Sequence, residues 1–287
     1  MKVRPFQILK PLEENLIVQV DKSQGFYKHL HQHREMQLSL VVKGNGKLLV
    51  GDSIHPFNDG DFFAIGSNSP HLFKTEESNE QVHMISLFFT NETFGKDFFE
   101  LSDLKEIKTF FEIIADGFRP LSDQNEIARL MHQFPKASKL SRILLFLQLL
   151  KLSCDIEKKP LTDFIYPKQT GLLAGERLQV VFDHVLHNFQ KEIKLDSIAE
   201  LVHMTPNAFC RFFKQRTNKT LFQFLIELRI EHASQLLKQH QDLSIAEIAE
   251  RSGFNTISNF NRKFMGIKGI KPSQYAKQLP KDEIFLA

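Results

Sequence analysis

A chain of 287 residues, 42% hydrophobic and 25% charged with a net charge of +3, is neither a disordered polymer nor a membrane protein, and it is long enough to bury two separate cores. Two cysteines, Cys154 and Cys210, make neither a disulfide framework nor a zinc site. Residues 1–15 carry charges and prolines instead of an apolar export signal, and the most apolar run, 143–152, falls short of the ~20 residues that cross a bilayer; a protein of the reducing cytoplasm is expected.

The first third reads as strands. Short apolar runs at 17–20, 38–42, 47–50, 62–65 and 82–89 are separated by turn signals at Lys43-Gly44-Asn45-Gly46, Gly51-Asp52-Ser53 and Asn58-Asp59-Gly60-Asp61. Many short strands at even spacing suggest a small barrel or jelly roll. Within it Gly25, His31, His33 and Gly44, followed by Gly60, Asp61, Pro70 and His71, resemble the two cupin motifs. In a metal-binding cupin, the resemblance implies, His31, His33 and His71 would hold the ion with either Glu35 or Gln37 in the acid's place. Gln37 stands where that family more often has glutamate, and an amide is a poor ligand beside imidazoles for a transition metal. The expectation is therefore no metal and no cofactor: His31, His33, Gln37 and His71 line a sensor pocket or lie at its rim, where such groups can bind a hydroxylated or anionic effector by hydrogen bonds.

Apolar residues at intervals of three and four predict helices over 104–117, 123–133 and 138–154. The last has a wide apolar face at Ile143, Leu144, Phe146, Leu147 and Leu150. That face serves either as core against the barrel or as a dimer contact about a two-fold axis. Residues 155–175, with charges, Pro160, Pro167 and paired glycines, read as a linker.

Beyond it two helix-turn-helix patterns occur in tandem. In the first, Leu195, Ile198, Ala199 and Val202 precede a turn at His203-Met204-Thr205, and Pro206 opens a helix carrying Phe209, Phe212 and Phe213. In the second, Ile245, Ile248 and Ala249 precede a turn at 253–256, and the next helix carries Ile257, Phe260 and Phe264. Thr205 before Pro206 is a good N-cap, and Asn255 or Thr256 is its counterpart. With the phenylalanines turned inward, a 100° step per residue leaves Asn207, Arg211 and Lys214 outward on the first helix with Cys210 at the edge, and Ser258 and Arg262 outward on the second, flanked by Asn259 and Asn261. Arginine reaches guanine O6 and N7 with two hydrogen bonds, asparagine does the same for adenine, and serine or lysine meets phosphates. Residues 175–287 hold 16 Lys and Arg against 12 Asp and Glu, a modest excess that suits phosphate contact. A helical stretch over 221–237 sets the spacing of the two units, expected at roughly 34 Å, one duplex turn.

These residues, from Ile198-Ala199 and Phe209-Cys210-Arg211-Phe212-Phe213-Lys214 through Leu228-Arg229-Ile230-Glu231-His232-Ala233 to Gly253-Phe254, Phe260-Asn261-Arg262-Lys263-Phe264 and the closing 269–275, resemble the AraC/XylS transcription regulators. The resemblance implies base and phosphate contacts at Asn207, Cys210, Arg211, Lys214, Ser258, Asn259, Asn261 and Arg262. Asn218 stands where that family usually has glycine, and asparagine also tolerates the left-handed conformation. It further implies a cupin-like sensor ahead of the DNA-binding domain, a homodimer, contact with RNA polymerase, and activation as the commoner outcome.

The expectation is an α+β chain of two domains: a cupin-like sensor barrel (1–95), a following helical segment (96–154), a linker (155–175) and an all-α tandem helix-turn-helix domain (176–287). It is read as a regulator that binds double-stranded DNA under control of a small-molecule effector. The competing expectations are a metal-dependent cupin enzyme with a DNA-binding tail, and a purely protein-binding helical module.

Overall fold

The computed structural model describes residue 8 and residues 15–27, 29–75, 81–162, 172–239 and 242–278. The chain divides into two compact units, residues 1–179 and 180–287.

In the first unit the strands are β1 (Ile17–Ser23), β2 (Met36–Lys43), β3 (Gly46–Val50), β4 (Ser53–Phe57), β5 (Phe62–Ile65), β6 (His71–Thr75), β7 (Val82–Phe89), β8 (Phe118–Pro120) and β9 (Lys158–Pro160). They form a six-stranded sheet in the order β1-β7-β2-β5-β8-β9 and a three-stranded sheet in the order β4-β3-β6. Both are antiparallel throughout the pairings of these strands. The pleat sorts β2 and β7 into two different faces. Leu38, Leu40, Ile85 and Leu87 turn to one side, where they pack with Phe62, Phe110, Phe118 and Phe146. Val41 and Met84 turn to the other, into a second core with Leu48, Phe57, Phe63 and Phe73. Each such side chain, fully buried, contributes roughly 1.5–3 kcal/mol.

The strands expected from sequence are present, and four others are added. β4 carries Pro56 and lies at a sheet edge, where the missing donor costs no ladder bond. β8 and β9 are three residues each and exist only because they pair with one another and β8 with β5.

Two expectations need correction. The predicted helix over 104–117 is a 3-10 turn at Ser102–Ile107, a single α-helical turn α1 (Phe110–Ile113) and another 3-10 turn at Ile114–Asp116. Its aromatic and β-branched residues have weak helix propensity, so packing of Ile107, Phe110 and Ile114 into the core decides the backbone. The predicted linker also begins too early. Strand β9 is part of the large sheet, Leu161 is buried in the second core, and the Thr162 hydroxyl donates to Asp52 at 2.6 Å. Of the rest of that tract, 163–171 lies outside the described residues, and 172–175 already belong to the next helix. Helices α2 (Gln124–Met131) and α3 (Lys139–Asp155) follow expectation. In α3, Phe146, Leu149 and Leu150 are core, while Leu140 and Leu144 are 68% and 57% exposed.

The second unit is helical, with the unit boundary falling inside α4 (Leu172–Asn188). There follow α5 (Leu195–Leu201), α6 (Pro206–Thr217), α7 (Leu221–Gln239), α8 (Ile245–Arg251), α9 (Ile257–Lys268) and α10 (Pro272–Gln278). Among the described residues, no helix is long and apolar enough to cross a membrane.

Candidate nucleic-acid interface and barrel pocket

The two helix-turn-helix units are built alike. In the first, the N–H of Met204 returns to the Ala199 carbonyl at 2.9 Å and that of His203 to Glu200 at 2.9 Å; in the second, Phe254 returns to Ala249 at 3.0 Å and Gly253 to Glu250 at 2.8 Å. Small Ala199 and Ala249 are buried at the corner, where a larger side chain would hold the helices apart. Thr205 caps α6 by accepting from Ala208 N–H at 3.4 Å. Thr256, the second of the two expected candidates, caps α9 by accepting from Asn259 N–H at 3.3 Å. Ser244 and Glu247 add a reciprocal capping box at α8. Both α6 and α9 end on a left-handed residue, Asn218 at φ 55° and Gly269 at φ 75°.

Phe209 and Phe213 in α6, and Phe260 and Phe264 in α9, have no exposed surface. Phe213 meets Phe182 and Phe224 edge-on at 6.0 Å each, and Phe264 meets Tyr275 at 5.5 Å. This locks the rotation of each helix about its axis. Asn207, Cys210, Arg211 and Lys214 are accordingly all exposed on α6, and Ser258, Asn259, Asn261 and Arg262 on α9. Arg262 donates to the Asn259 side-chain oxygen at 3.0 Å, which presets the guanidinium along the helix. The equivalent of Lys214 on α9 is Met265, 45% exposed, so the cation on the last outward turn is not repeated.

Sequence reasoning missed a knot within this unit. Arg229 of α7 donates to the carbonyls of Phe189 at 2.7 Å and Lys191 at 2.8 Å, and lies 5.9 Å over the Phe254 ring. Gln190 donates to the Arg251 carbonyl at 2.9 Å. The turn before α5 and the corner of the second helix-turn-helix are thereby held on one side chain of the joining helix. Only the Arg229 position within an apolar helical stretch hinted at it.

In the barrel, register aligns three rows across β1, β7 and β2: Ile17, Phe88 and Gln37; Gln19, Ser86 and Ser39; Asp21, Met84 and Val41. His31, His33 and His71 come together, each offering a ligand atom within 4.8 Å of the others, and all three are buried. Their Nδ1 atoms face the carbonyls of His29, Glu35 and Ser69 at 2.9, 2.8 and 2.8 Å. Gln37 Oε1 lies 3.1 Å from His33 Nε2 and 3.0 Å from His71 Nε2, and its amide donates to Ser39 at 2.7 Å, which in turn meets Ser86 at 2.8 Å. Burial pushes all three imidazoles down: His31 to about 4, and His71 well below the ordinary value. They are neutral at pH 7. Three neutral imidazoles suit a borderline divalent cation by donor type, but Gln37 offers only an amide oxygen in the acid's place, and Glu35 meets His33 through its backbone carbonyl, not its carboxylate.

A cavity of about 250 Å³ opens beside this cluster. It is lined by His31 and Gln37 but not by His33 or His71, and its other walls include Gln19, Asp21, Phe26, Tyr27, Ser86 and Phe88. None of these last residues was singled out in the sequence, because alternation within β1 says which face is inward only once its partner strand is known.

Residues 198–278 match a helix-turn-helix domain family, and residues 16–88 match the cupin domain family. The chain is 21% identical to an uncharacterized HTH-type transcriptional regulator, YdeC of Bacillus subtilis, over 94% of this chain and 97% of that protein. It is 25% identical to the HTH-type transcriptional activator RhaR of Mannheimia succiniciproducens, over 88% of each. Among solved structures, a transcriptional regulator with an AraC-type DNA-binding domain from Chromobacterium violaceum covers 36% of this chain and 91% of its own, at 26% identity and a TM-score of 0.34.

Proposed function

Because this chain belongs to the AraC/XylS family of DNA-binding transcription regulators, with a cupin domain ahead of its helix-turn-helix domain, we propose that α6 and α9 read successive major grooves under control of a small molecule held in the barrel. What carries the reading is the matched pair Arg211 and Arg262, exposed at equivalent places on two helices whose opposite faces are buried alike. Asn207, Cys210, Lys214, Ser258, Asn259 and Asn261 surround them and supply the further base and phosphate contacts. The effector binds the two states of the regulator unequally and so shifts its affinity for paired sites. The domains work as sensor barrel (1–95), helical segment (96–154) and DNA-binding domain (176–287). The protein acts in the cytoplasm, without catalysis, as a homodimer joined through the exposed Leu140 and Leu144 of α3, and recruits RNA polymerase.

Selection of bound duplexes from genomic fragments, followed by footprinting, tests the reading. Two protected patches about one helical turn apart are expected, with affinity falling steeply as salt rises. Duplex binding without salt dependence, or none at all, refutes it and leaves a protein-binding module.

A second reading, a metal-dependent cupin enzyme with a DNA-binding tail, is favoured by one observation, the convergence of His31, His33 and His71. Metal analysis of the purified chain separates the two. One equivalent of a transition metal, lost on replacing His31 and His33 with alanine, supports the second.

A further inference from the structure

The barrel cavity carries its own statement about charge, and it rests on the effector-sensing reading above. Strand β1 alternates, so Gln19, Asp21 and Ser23 share the face that lines the cavity. Asp21 brings the cavity's carboxylate. Among the described residues its hydrogen bonds come from one group, the Gln19 amide, which donates to both oxygens at 2.9 Å. Among the described residues, no Lys or Arg lines the cavity. Burial pushes the Asp21 carboxyl up from its ordinary value, the sign of an anion withdrawn from water without a counter-charge.

The apolar part of the wall is aromatic. Phe26, Tyr27, Phe73 and Phe88 line the same space, and Tyr27 meets His31 edge-on at 5.0 Å. Ring faces attract cations, most strongly where water is excluded. An anionic effector would meet the Asp21 carboxylate with no cationic side chain among the described lining residues; the anionic half of the sequence expectation is thereby disfavoured. At about 250 Å³ the space is below the roughly 300–1,000 Å³ of drug-sized sites, which sets a metabolite-sized limit.

We infer that the barrel takes a small organic cation, an amine or ammonium compound whose charged nitrogen pairs with Asp21 among the rings of Phe26, Tyr27 and Phe88, with Ser86 and Gln37 meeting its polar groups. Asp21 is the specificity-determining residue of the sensor.

One scaffold in three charge states tests this on the full chain: benzylamine, benzyl alcohol and benzoate, followed by ligand-observed NMR. Benzylamine is expected to bind about tenfold or more tightly than the alcohol, with benzoate last. The order should be lost in Asp21→Asn. Equal or tighter binding of the alcohol or benzoate by the parent, absence of benzylamine binding, or an unchanged amine preference in Asp21→Asn overturns the inference. The parent comparison stands even if the variant fails to fold. Duplex binding by the same samples is read separately: its absence in the parent sinks the regulator reading, whereas its presence alongside a failed amine preference sinks only the ligand class.

Discussion

His203 and Gly253 occupy the same corner of their two helix-turn-helix units, at φ 53° and φ 83°. The backbone there is left-handed in both, yet the surroundings differ. His203 is exposed, whereas a Cβ at Gly253 would come within 2.8 Å of the Phe189 carbonyl and 2.9 Å of Gln190 Cα. Glycine is needed in the second corner for space as well as for φ; in the first, a histidine is tolerated at a conformational cost.

Gly253→Ala is therefore expected to cost more than about 2 kcal/mol, since left-handed strain of about 1–2 kcal/mol adds to a backbone clash. His203→Gly should change stability by no more than about 1 kcal/mol in either direction. Thermal unfolding of the two variants compares them, and equal losses would contradict the difference in packing.

Arg229 is predicted to position the second recognition helix. Arg229→Lys keeps the charge but offers no planar fork for the carbonyls of Phe189 and Lys191, so it should lose nearly as much as Arg229→Ala, about 2–3 kcal/mol of stability. Footprints should shrink first over the half-site read by α9. Full two-site protection by Arg229→Lys at parental affinity would show that the knot does not set the spacing.

On the DNA face, Arg211→Ala and Arg262→Ala should each lose about 1–3 kcal/mol of specific binding and relax preference at one base position. Lys214→Ala should weaken every sequence alike and flatten the salt dependence. Met265→Lys supplies the cation that α9 lacks at the equivalent place and should steepen the plot of log affinity against log salt by about 0.9. The contact assignment fails if both arginine variants keep parental affinity for a selected site.

The barrel should weaken on acidification. The imidazoles of His31, His33 and His71 hold protons less readily folded than unfolded, so the unfolded chain takes up protons that the folded chain does not. Stability from this source is intact above about pH 6.5 and falls as the pH drops below it, for His31 down to about pH 4. Denaturant midpoints of chelator-treated protein at about pH 7.5 and about pH 5.5 measure it, with His31→Phe showing a smaller difference than the parent. A midpoint that rises on acidification has the wrong sign.

Gln37 joins the histidines to Ser39 and Ser86. Gln37→Leu removes the buried amide that donates to Ser39 and should cost about 1–3 kcal/mol, read by the same denaturation. Gln37→Glu places a carboxylate beside three imidazoles and should raise retention of added zinc or manganese through desalting. No change in retention would argue that the imidazoles are too fixed to close on an ion.

The helical half was legible because its signals are local. Phe209, Phe213, Phe260 and Phe264 recur at helical spacing, and once one face is buried the opposite face is determined by the geometry of a single helix. The exposed positions of Asn207, Arg211, Ser258 and Arg262 followed from that alone. In the barrel, His31, His33 and His71 were found by motif, but Asp21 and Gln19 were not. Strand β1 presents Gln19 and Asp21 on one side and Val20 and Lys22 on the other, and neither side announces itself as inward.

By itself, then, the sequence determined the two-part architecture, the paired recognition helices with their outward side chains, and the histidines that gather in the barrel, since periodicity and short-range capping encode these within a few residues. Tertiary structure alone decided that residues 158–160 form the edge strand of the large sheet, that Arg229 ties three segments together, and that Asp21 faces a pocket with no lysine or arginine among its described lining residues. Each of those depends on groups tens of residues apart meeting in space, and contacts at that range leave no periodic trace in the chain.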